Sequence, residues 1–244
     1  MCEIICCIPT KGRYKTKTHK LFEKIGIKVL HFIEPSEIDL YDVDNKISIK
    51  KNNQGISYVR NFMLEYVKKN NYEWVIFSDD DIQGFGIYNG KTITTDASIW
   101  LEIYNKVKNL PFELVGINYA QHAWHEKKSY SINKKFVECC VLMNVKKIDW
   151  KYIKGLKQDR QFCFQTVKNG YGVLKFNHYW LRCPQVGTNK GGLYEDYKNK
   201  KDWDAAKRLV KTYYPYAKLI KKKNRLEAKL DLKGYAKNLN KIVK

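Results

Sequence analysis

The chain is 244 residues long, enough to bury one sizeable core with an appendage rather than two equal domains. Its 46 Lys and Arg against 25 Asp and Glu give a net charge of +21, far beyond what solubility requires, and point to a polyanionic partner. Seven cysteines, an odd number with no Cys-x-x-Cys pair, argue against a disulfide framework and a zinc knuckle and read as reduced, mostly buried thiols.

From the amino terminus, Met1-Cys2-Glu3 carries no basic leader. The apolar run after it is too short for a signal or membrane helix, so a cytoplasmic protein is expected, including the cytoplasm of a host cell if the gene is viral. Ile4 to Ile8 reads as a first buried strand, ended by Pro9-Thr10-Lys11-Gly12-Arg13. A short helix at about 16–25 leads to a strand at 28–33 with Glu34 at its end. Residues 54–69 place Ile56, Val59, Phe62, Met63, Tyr66 and Val67 on one helical face and Ser57, Arg60 and Asn61 on the other. Trp74 to Phe77 is apolar without alternation, hence a central strand buried on both faces, and it runs into Ser78-Asp79-Asp80-Asp81. Then come a helix at 98–108, a strand at 114–118, a polar aromatic loop at 119–133, a strand at 138–143, a helix at 159–169, and a last strand at 173–176 followed by His178. Strands alternating with helices predict an α/β fold, a mixed, mostly parallel sheet flanked by helices. Residues 1–192 are expected to form this domain and 193–244 a basic helical extension packed on it. From Lys201 onward there are 14 Lys and Arg against 4 Asp and Glu, so the positive excess is concentrated there. A Lys- and Asn-rich composition also follows from an AT-rich genome, which would spread the charge evenly.

The triple aspartate is the sharpest chemical signal. Open α/β sheets bind ligands just beyond the carboxyl ends of their strands. Three adjacent carboxylates repel one another unless a cation sits among them, and hard oxygens suit Mg²⁺ or Mn²⁺ on a diphosphate. Strand alternation would send Asp79 and Asp81 to one side and Asp80 to the other. An acidic turn is the plain alternative.

Three segments in order, Ile8-Pro9-Thr10-Lys11-Gly12-Arg13, Gln54-Gly-Ile-Ser-Tyr-Val-Arg60-Asn61 and Val-Ile-Phe-Ser-Asp79-Asp80-Asp81, resemble GT-A glycosyltransferases, the last looking like their Asp-x-Asp signature. Within that superfamily the chain is most similar to the phage glycosyltransferases associated with TET/JBP-type base hydroxylases. That resemblance implies transfer from a nucleotide-sugar, UDP-sugar foremost, to 5-hydroxymethylcytosine or 5-hydroxymethyluracil in DNA. It implies that Pro9, Thr10, Lys11, Arg13 and Glu34 line the nucleoside, that Arg60 and Asn61 hold the donor, and that Asp79 and Asp80 meet it. Asp79, Asp81 and His178 would hold Mn²⁺ or Mg²⁺, and Lys190 and Gly191, in a flexible loop at 186–192, would close over the diphosphate. Inverting relatives carry Glu-Asp at the helix start after the acceptor-side strand. Here Gln158-Asp159 stands there, which makes Asp159 the general base and Gln158 a departure.

For the acceptor, the 119–130 segment mixes His122, Trp124 and His125 with lysines, a composition suited to stacking a base and gripping phosphate. Lys221, Lys222 and Lys223 would extend the basic surface along DNA. A glycan or protein acceptor keeps the fold and changes the target. Transfer of a nucleotide to a sugar phosphate would need a longer, Gly-rich loop than Pro-Thr-Lys-Gly-Arg. A non-catalytic DNA-binding protein would leave the three aspartates as accidents on a surface where they repel phosphate.

Overall fold

The computed structural model describes residues 4–185, 187–222 and 225–242. A ten-stranded mixed sheet runs through it. Strand β1 (Ile4–Thr10) lies parallel between β2 (Lys28–Ile33) and β4 (Trp74–Ser78), and β3 (Lys46–Ser48) extends the parallel set beyond β2. On the other side of β4, β9 (Cys140–Asn144) is inserted antiparallel, followed by β7 (Phe112–Tyr119) and β10 (Gly172–Arg182), which are parallel to each other. Two antiparallel strands, β5 (Gly84–Tyr88) and β6 (Thr92–Thr95), close that edge, and β8 (Tyr130–Ile132) pairs with β10. Strands β1 to β4, β7 and β10 all point one way, so the expected mostly parallel α/β sheet is the one that forms.

The reason is local. Every residue of β1 and of β4 is buried, the pattern of strands covered on both faces. Alternation splits β1: Ile5 and Cys7 face helices α2 (Ile56–Lys69) and α5 (Gln158–Lys168), whereas Ile4, Cys6 and Ile8 face α1 (Thr18–Glu23) and α3 (Ile99–Val107). Four of the cysteines, Cys6, Cys7, Cys140 and Cys163, are free and buried, and Cys139 and Cys183 are free and half-buried.

Two expectations are corrected. The last strand does not stop at Phe176. It continues through a register shift to Arg182, so His178 lies within β10 rather than beyond its end. The carboxyl-terminal segment is not wholly helical either. After α6 (Tyr194–Lys198) and α7 (Lys201–Tyr213), the chain forms a hairpin, β11 (Ala217–Lys222) and β12 (Arg225–Leu230), before α8 (Leu232–Ile242). A hairpin whose apolar content is mostly alanine and leucine among lysines carries little pattern of its own, and burial of Ala217 and Ala228 in the core fixes it. Leu209, Tyr213, Leu232 and Ala236 join the same cluster as α2 and α5, and the Tyr213 and Phe164 rings stack at 4.0 Å. Among the described residues no helix is long and apolar enough to cross a membrane.

Candidate active site

A cavity of about 600 Å³ opens where β1, β2 and β4 end and β9 begins. That is the edge at which parallel strands deliver their following loops, so residues far apart in sequence converge there. One side of it is apolar, with Pro9, Phe32, Ile49, Ile56 and Val59. Beside them Glu34, buried at the end of β2, accepts hydrogen bonds from the Asn53 backbone at 2.9 Å and from Lys11 Nζ at 3.0 Å.

The floor is the aspartate rim. Backbone pairing of Asp79 N with Cys139 O at 2.7 Å carries the β4–β9 ladder into the turn and sets the three carboxylates. Asp80 is the buried one: Thr10 Oγ1 donates to its Oδ2 at 2.7 Å, and Arg13 Nη1 pairs with its Oδ1. The same Arg13 Nη1 lies 3.4 Å from Asp81 Oδ2, which also accepts from Asn189 Nδ2 at 3.1 Å. Asp79 faces the other way and takes Arg60 Nη2 at 2.7 Å, with the buried guanidinium 5.5 Å over the Tyr152 ring. The expected alternation is therefore replaced, because Asp80 and Asp81 follow the strand in a turn and share one arginine. Burial pushes the Asp79 carboxyl up, with Arg60 opposing and the neighbouring aspartates adding; burial also raises Asp80, against Arg13 and Thr10.

The helix rim, at the start of α5, lines the same cavity and meets the aspartate rim through Cys139 and Arg60. Lys157 precedes the helix in the left-handed backbone region (φ 60) and Cys139 precedes β9 in the same region (φ 63), two non-glycine departures on one cavity wall. Asp159 lines the cavity, and its Oδ1 accepts from the Arg160 backbone at 2.9 Å. Burial, then the neighbouring Glu138, push its carboxyl up to about 6, against Arg60 and Arg160. Burial would raise Glu138 too, but Arg160, with Nε at 2.7 Å, outweighs it and holds that group below the usual range. From the hairpin, Glu227 Oε1 receives Lys157 Nζ at 2.7 Å and Arg160 Nη1 at 3.3 Å.

Most of the residues singled out from sequence meet at this cavity: Pro9, Thr10, Lys11, Arg13, Glu34, Arg60, Asp79, Asp80, Asp81 and Asp159 all line it. Lys190 and Gly191 stand behind Arg13. The Lys190 carbonyl accepts Arg13 Nε at 3.0 Å, and a Cβ at Gly191 (φ +84) would come 2.9 Å from the Lys11 carbonyl, so glycine is what lets the loop dock. Of the loop's predicted span, Val186 lies outside the described residues.

The structure corrects others. Asn61 is committed to the Tyr152 backbone, donating at 2.9 Å and accepting at 2.7 Å, and does not line the cavity. His178 also lies off the cavity, with Nε2 2.9 Å from the Glu126 carbonyl and its ring 6.0 Å from that of Tyr88; the extension of β10 carried it away. His122, Trp124 and His125 are exposed around the helical turn α4 (Ala120–Ala123) and do not line it either. Lys221 and Lys222 are exposed on β11, and Lys223 lies outside the described residues. Sequence reasoning missed Glu138, Lys157, Arg160, Glu227 and the α6 residues Tyr194 and Tyr197. Only Glu138 carried a signal, as a carboxylate opening an otherwise apolar strand.

A divalent cation fits the donor chemistry of the aspartate rim. Asp79 and Asp81 offer hard oxygens and keep 31% and 21% of their side chains exposed, whereas Asp80 is enclosed. Three carboxylates against two guanidiniums leave the rim short of positive charge. Among the described residues no three His, Cys, Asp or Glu side chains gather closely enough to hold an ion alone, so a bound ion would complete its shell from donor phosphate and water, the habit of Mg²⁺.

A family model described as TET-Associated Glycosyltransferase matches residues 4–192 of the chain. No curated protein matches. Among solved structures, a protein from STIV is similar at 11% identity over 75% of this chain and 85% of its own, with a TM-score of 0.47. The inositol-1-phosphate CTP transferase from T. maritima is similar at 13% identity over 79% of this chain and 94% of its own, with a TM-score of 0.45.

Proposed function

Because the chain belongs to the TET-associated glycosyltransferase family, and is thereby a glycosyltransferase of GT-A-like fold, we propose that it moves a sugar from a nucleotide-sugar, UDP-sugar foremost, to the hydroxymethyl group of 5-hydroxymethylcytosine or 5-hydroxymethyluracil in DNA. One observation carries the reading of the site. A single cavity is lined both by the three aspartates and by a carboxylate at the start of α5 whose protonation midpoint is raised to about 6.

In this reading the nucleobase lies in the apolar slot of Phe32, Ile49, Ile56 and Val59, beside Glu34 and Lys11. The diphosphate faces the aspartate rim, where Asp79 and Asp81 would hold Mn²⁺ or Mg²⁺, which would supply the positive charge that the leaving group needs. Arg13 and Arg60 keep those carboxylates in place, and Arg13 also ties the loop at 187–192 over the site. Asp159 takes the proton from the acceptor hydroxyl as its oxygen attacks the anomeric carbon. The bond from that carbon to the diphosphate breaks, and the nucleoside diphosphate leaves with the bonding electrons. Attack opposite the leaving group gives inversion. A base with a midpoint near 6 is ionised at neutral pH yet more basic than an ordinary carboxylate, the compromise general base catalysis favours.

The DNA acceptor is supported by the net charge of +21 and its concentration in the carboxyl-terminal segment, which places exposed Lys221 and Lys222 on the hairpin that also reaches the helix rim. An extruded or single-stranded base would enter past Tyr119, Tyr194 and Tyr197, aromatic residues of the cavity lining. The test is a screen of nucleotide-sugars with Mn²⁺ and oligonucleotides containing either hydroxymethylated base, reading nucleoside mass after digestion. A hexose- or pentose-sized gain that disappears without metal is the expected result. Metal-dependent donor hydrolysis with no gain on any DNA would retain the glycosyltransferase and replace the DNA acceptor by a glycan or protein.

A further inference from the structure

The helix rim is completed by a part of the chain beyond residue 192, where the family match ends. Glu227 sits on β12, opposite Ile220 in the hairpin, and its carboxylate meets both Lys157 and Arg160, the residues that bracket Gln158-Asp159. All three partners are largely withdrawn from water, with 6%, 26% and 13% of the Lys157, Arg160 and Glu227 side chains exposed. Charge pairs in that setting are screened weakly, so their arrangement decides local charge. Lys157 moreover holds a left-handed backbone that a non-glycine residue adopts only when its surroundings enforce it. The Glu227 contact, made from a separate element, is such an enforcement.

We infer that Glu227 is a positioning residue of the active site: by engaging Lys157 and by sharing Arg160 with Glu138 it balances the two cations that flank Asp159 in sequence and leaves that carboxylate to the acceptor hydroxyl. The inference rests on the reading of Asp159 as general base. The groups facing Asp159 are Glu138 and Arg160 on its own rim, Arg60 from α2, Tyr152 from the preceding loop, Tyr119 at the end of β7 and Cys163 one turn along α5. Lys157 and Lys175 act on Glu138. Beside that set, Glu227 supplies a negative charge that offsets Lys157 and Arg160. Without it the positive charge of those two side chains is offset less, and the local field then favours ionised Asp159.

The experiment uses the full chain with Glu227→Gln and Glu227→Asp. Carboxyl carbon NMR titration, with Asp159→Asn to assign the signal, follows Asp159 without any turnover; transfer from UDP-sugar to a 5-hydroxymethylcytosine oligonucleotide with Mn²⁺ is followed against pH in parallel. Glu227→Gln is expected to move the Asp159 midpoint down by about one pH unit and, since a weaker base is a poorer proton acceptor, to lower kcat about tenfold with the donor KM unchanged. Glu227→Asp should restore the midpoint in part. An unmoved midpoint in Glu227→Gln overturns the inference, as does a fallen kcat with an unmoved midpoint, which marks a merely structural contact. A parent chain that shows the titration shift but transfers no sugar overturns the reading of the activity and not the placement by Glu227. Should Glu227→Gln fail to fold, Glu227→Met, which fills the same space without a charge, is held to the same downward movement.

Discussion

The two rims of the cavity carry matching inventories, three carboxylates and two cations each, assembled in opposite ways. On the aspartate rim, Asp79, Asp80 and Asp81 are consecutive and the arginines come from two other loops or helices, Arg13 and Arg60. On the helix rim the cations are near neighbours, Lys157 and Arg160, and the carboxylates come from three distant segments, Glu138, Asp159 and Glu227. The first arrangement presses like charges together and so invites further positive charge. The second, among the described residues, forms its ion pairs through Glu138 and Glu227 and none through Asp159, whose protonation midpoint rises to about 6. In the proposed reaction the first rim would meet an anion through a cation and the second would accept a proton.

Breaking the first rim should have the largest effect. Asp79→Ala with Asp81→Ala removes both accessible oxygen donors while leaving Asp80 paired, and transfer by the folded variant is expected to fall about a thousandfold, with a lower thermal midpoint because Arg60 is left buried without its carboxylate; full transfer by the double variant would remove the rim from the chemistry. Asp159→Asn should cost several hundredfold in kcat. In the unsubstituted chain the acid limb of the rate profile should fall tenfold per pH unit below about 6. The same residue gives a stability prediction of opposite sign. Its folded midpoint lies above that of the unfolded chain, so folding gains from the protonated form in acid and loses that gain as pH rises from about 4 through 6. Asp159→Asn should therefore stabilise the fold at pH 8 by about 2 kcal/mol in urea unfolding while abolishing most activity. A destabilised variant would show that the native carboxylate is better satisfied than the geometry indicates.

Arg13→Ala tests what the shared arginine does for the enclosed Asp80. It leaves a buried carboxylate with Thr10 as its remaining side-chain partner, and a loss of about 3 kcal/mol in urea unfolding is expected. A loss below about 1 kcal/mol would mean that Asp80 is neutral in the fold. The smallest effect concerns the surface outside both rims. Lys221→Ala with Lys222→Ala should weaken binding to hydroxymethylated and plain DNA alike and flatten the dependence of log affinity on log salt by about 2. An unchanged slope would place the nucleic acid elsewhere.

The contrast between the rims also explains what was legible. Asp79 to Asp81 stood out because strand pattern and charge coincide within eight residues of sequence, from Trp74 onward, and Thr10, Arg13 and Arg60 were implied by the family resemblance of the segments that carry them. Glu138, Lys157, Arg160 and Glu227 did not stand out, since each is an ordinary charge in a chain with many. The 119–130 segment drew attention by composition, yet no strand end steers His122, Trp124 or His125 into the cavity. His178 and Asn61 lie off the cavity for related reasons: β10 runs six residues past Phe176, the end expected from sequence, because Trp180 and Leu181 carry it on after the polar Asn177-His178, and one helical position beside Arg60 already turns toward the Tyr152 backbone.

The sequence by itself determined the α/β architecture, the order of the main strands and helices, and the gathering of aspartates at a central strand's carboxyl end. These are settled by patterns of period 2 and 3.6 and by strong local breakers, which act over a few residues. Tertiary structure alone decided that β9 enters antiparallel, that a hairpin interrupts the carboxyl-terminal helices, and that Glu138 and Glu227 meet around Lys157 and Arg160. Contacts between segments some 70 residues apart, as between Lys157 and Glu227, depend on which strands pair and how far each runs. No local propensity encodes that, because the stabilising burial exists only once the whole sheet is assembled.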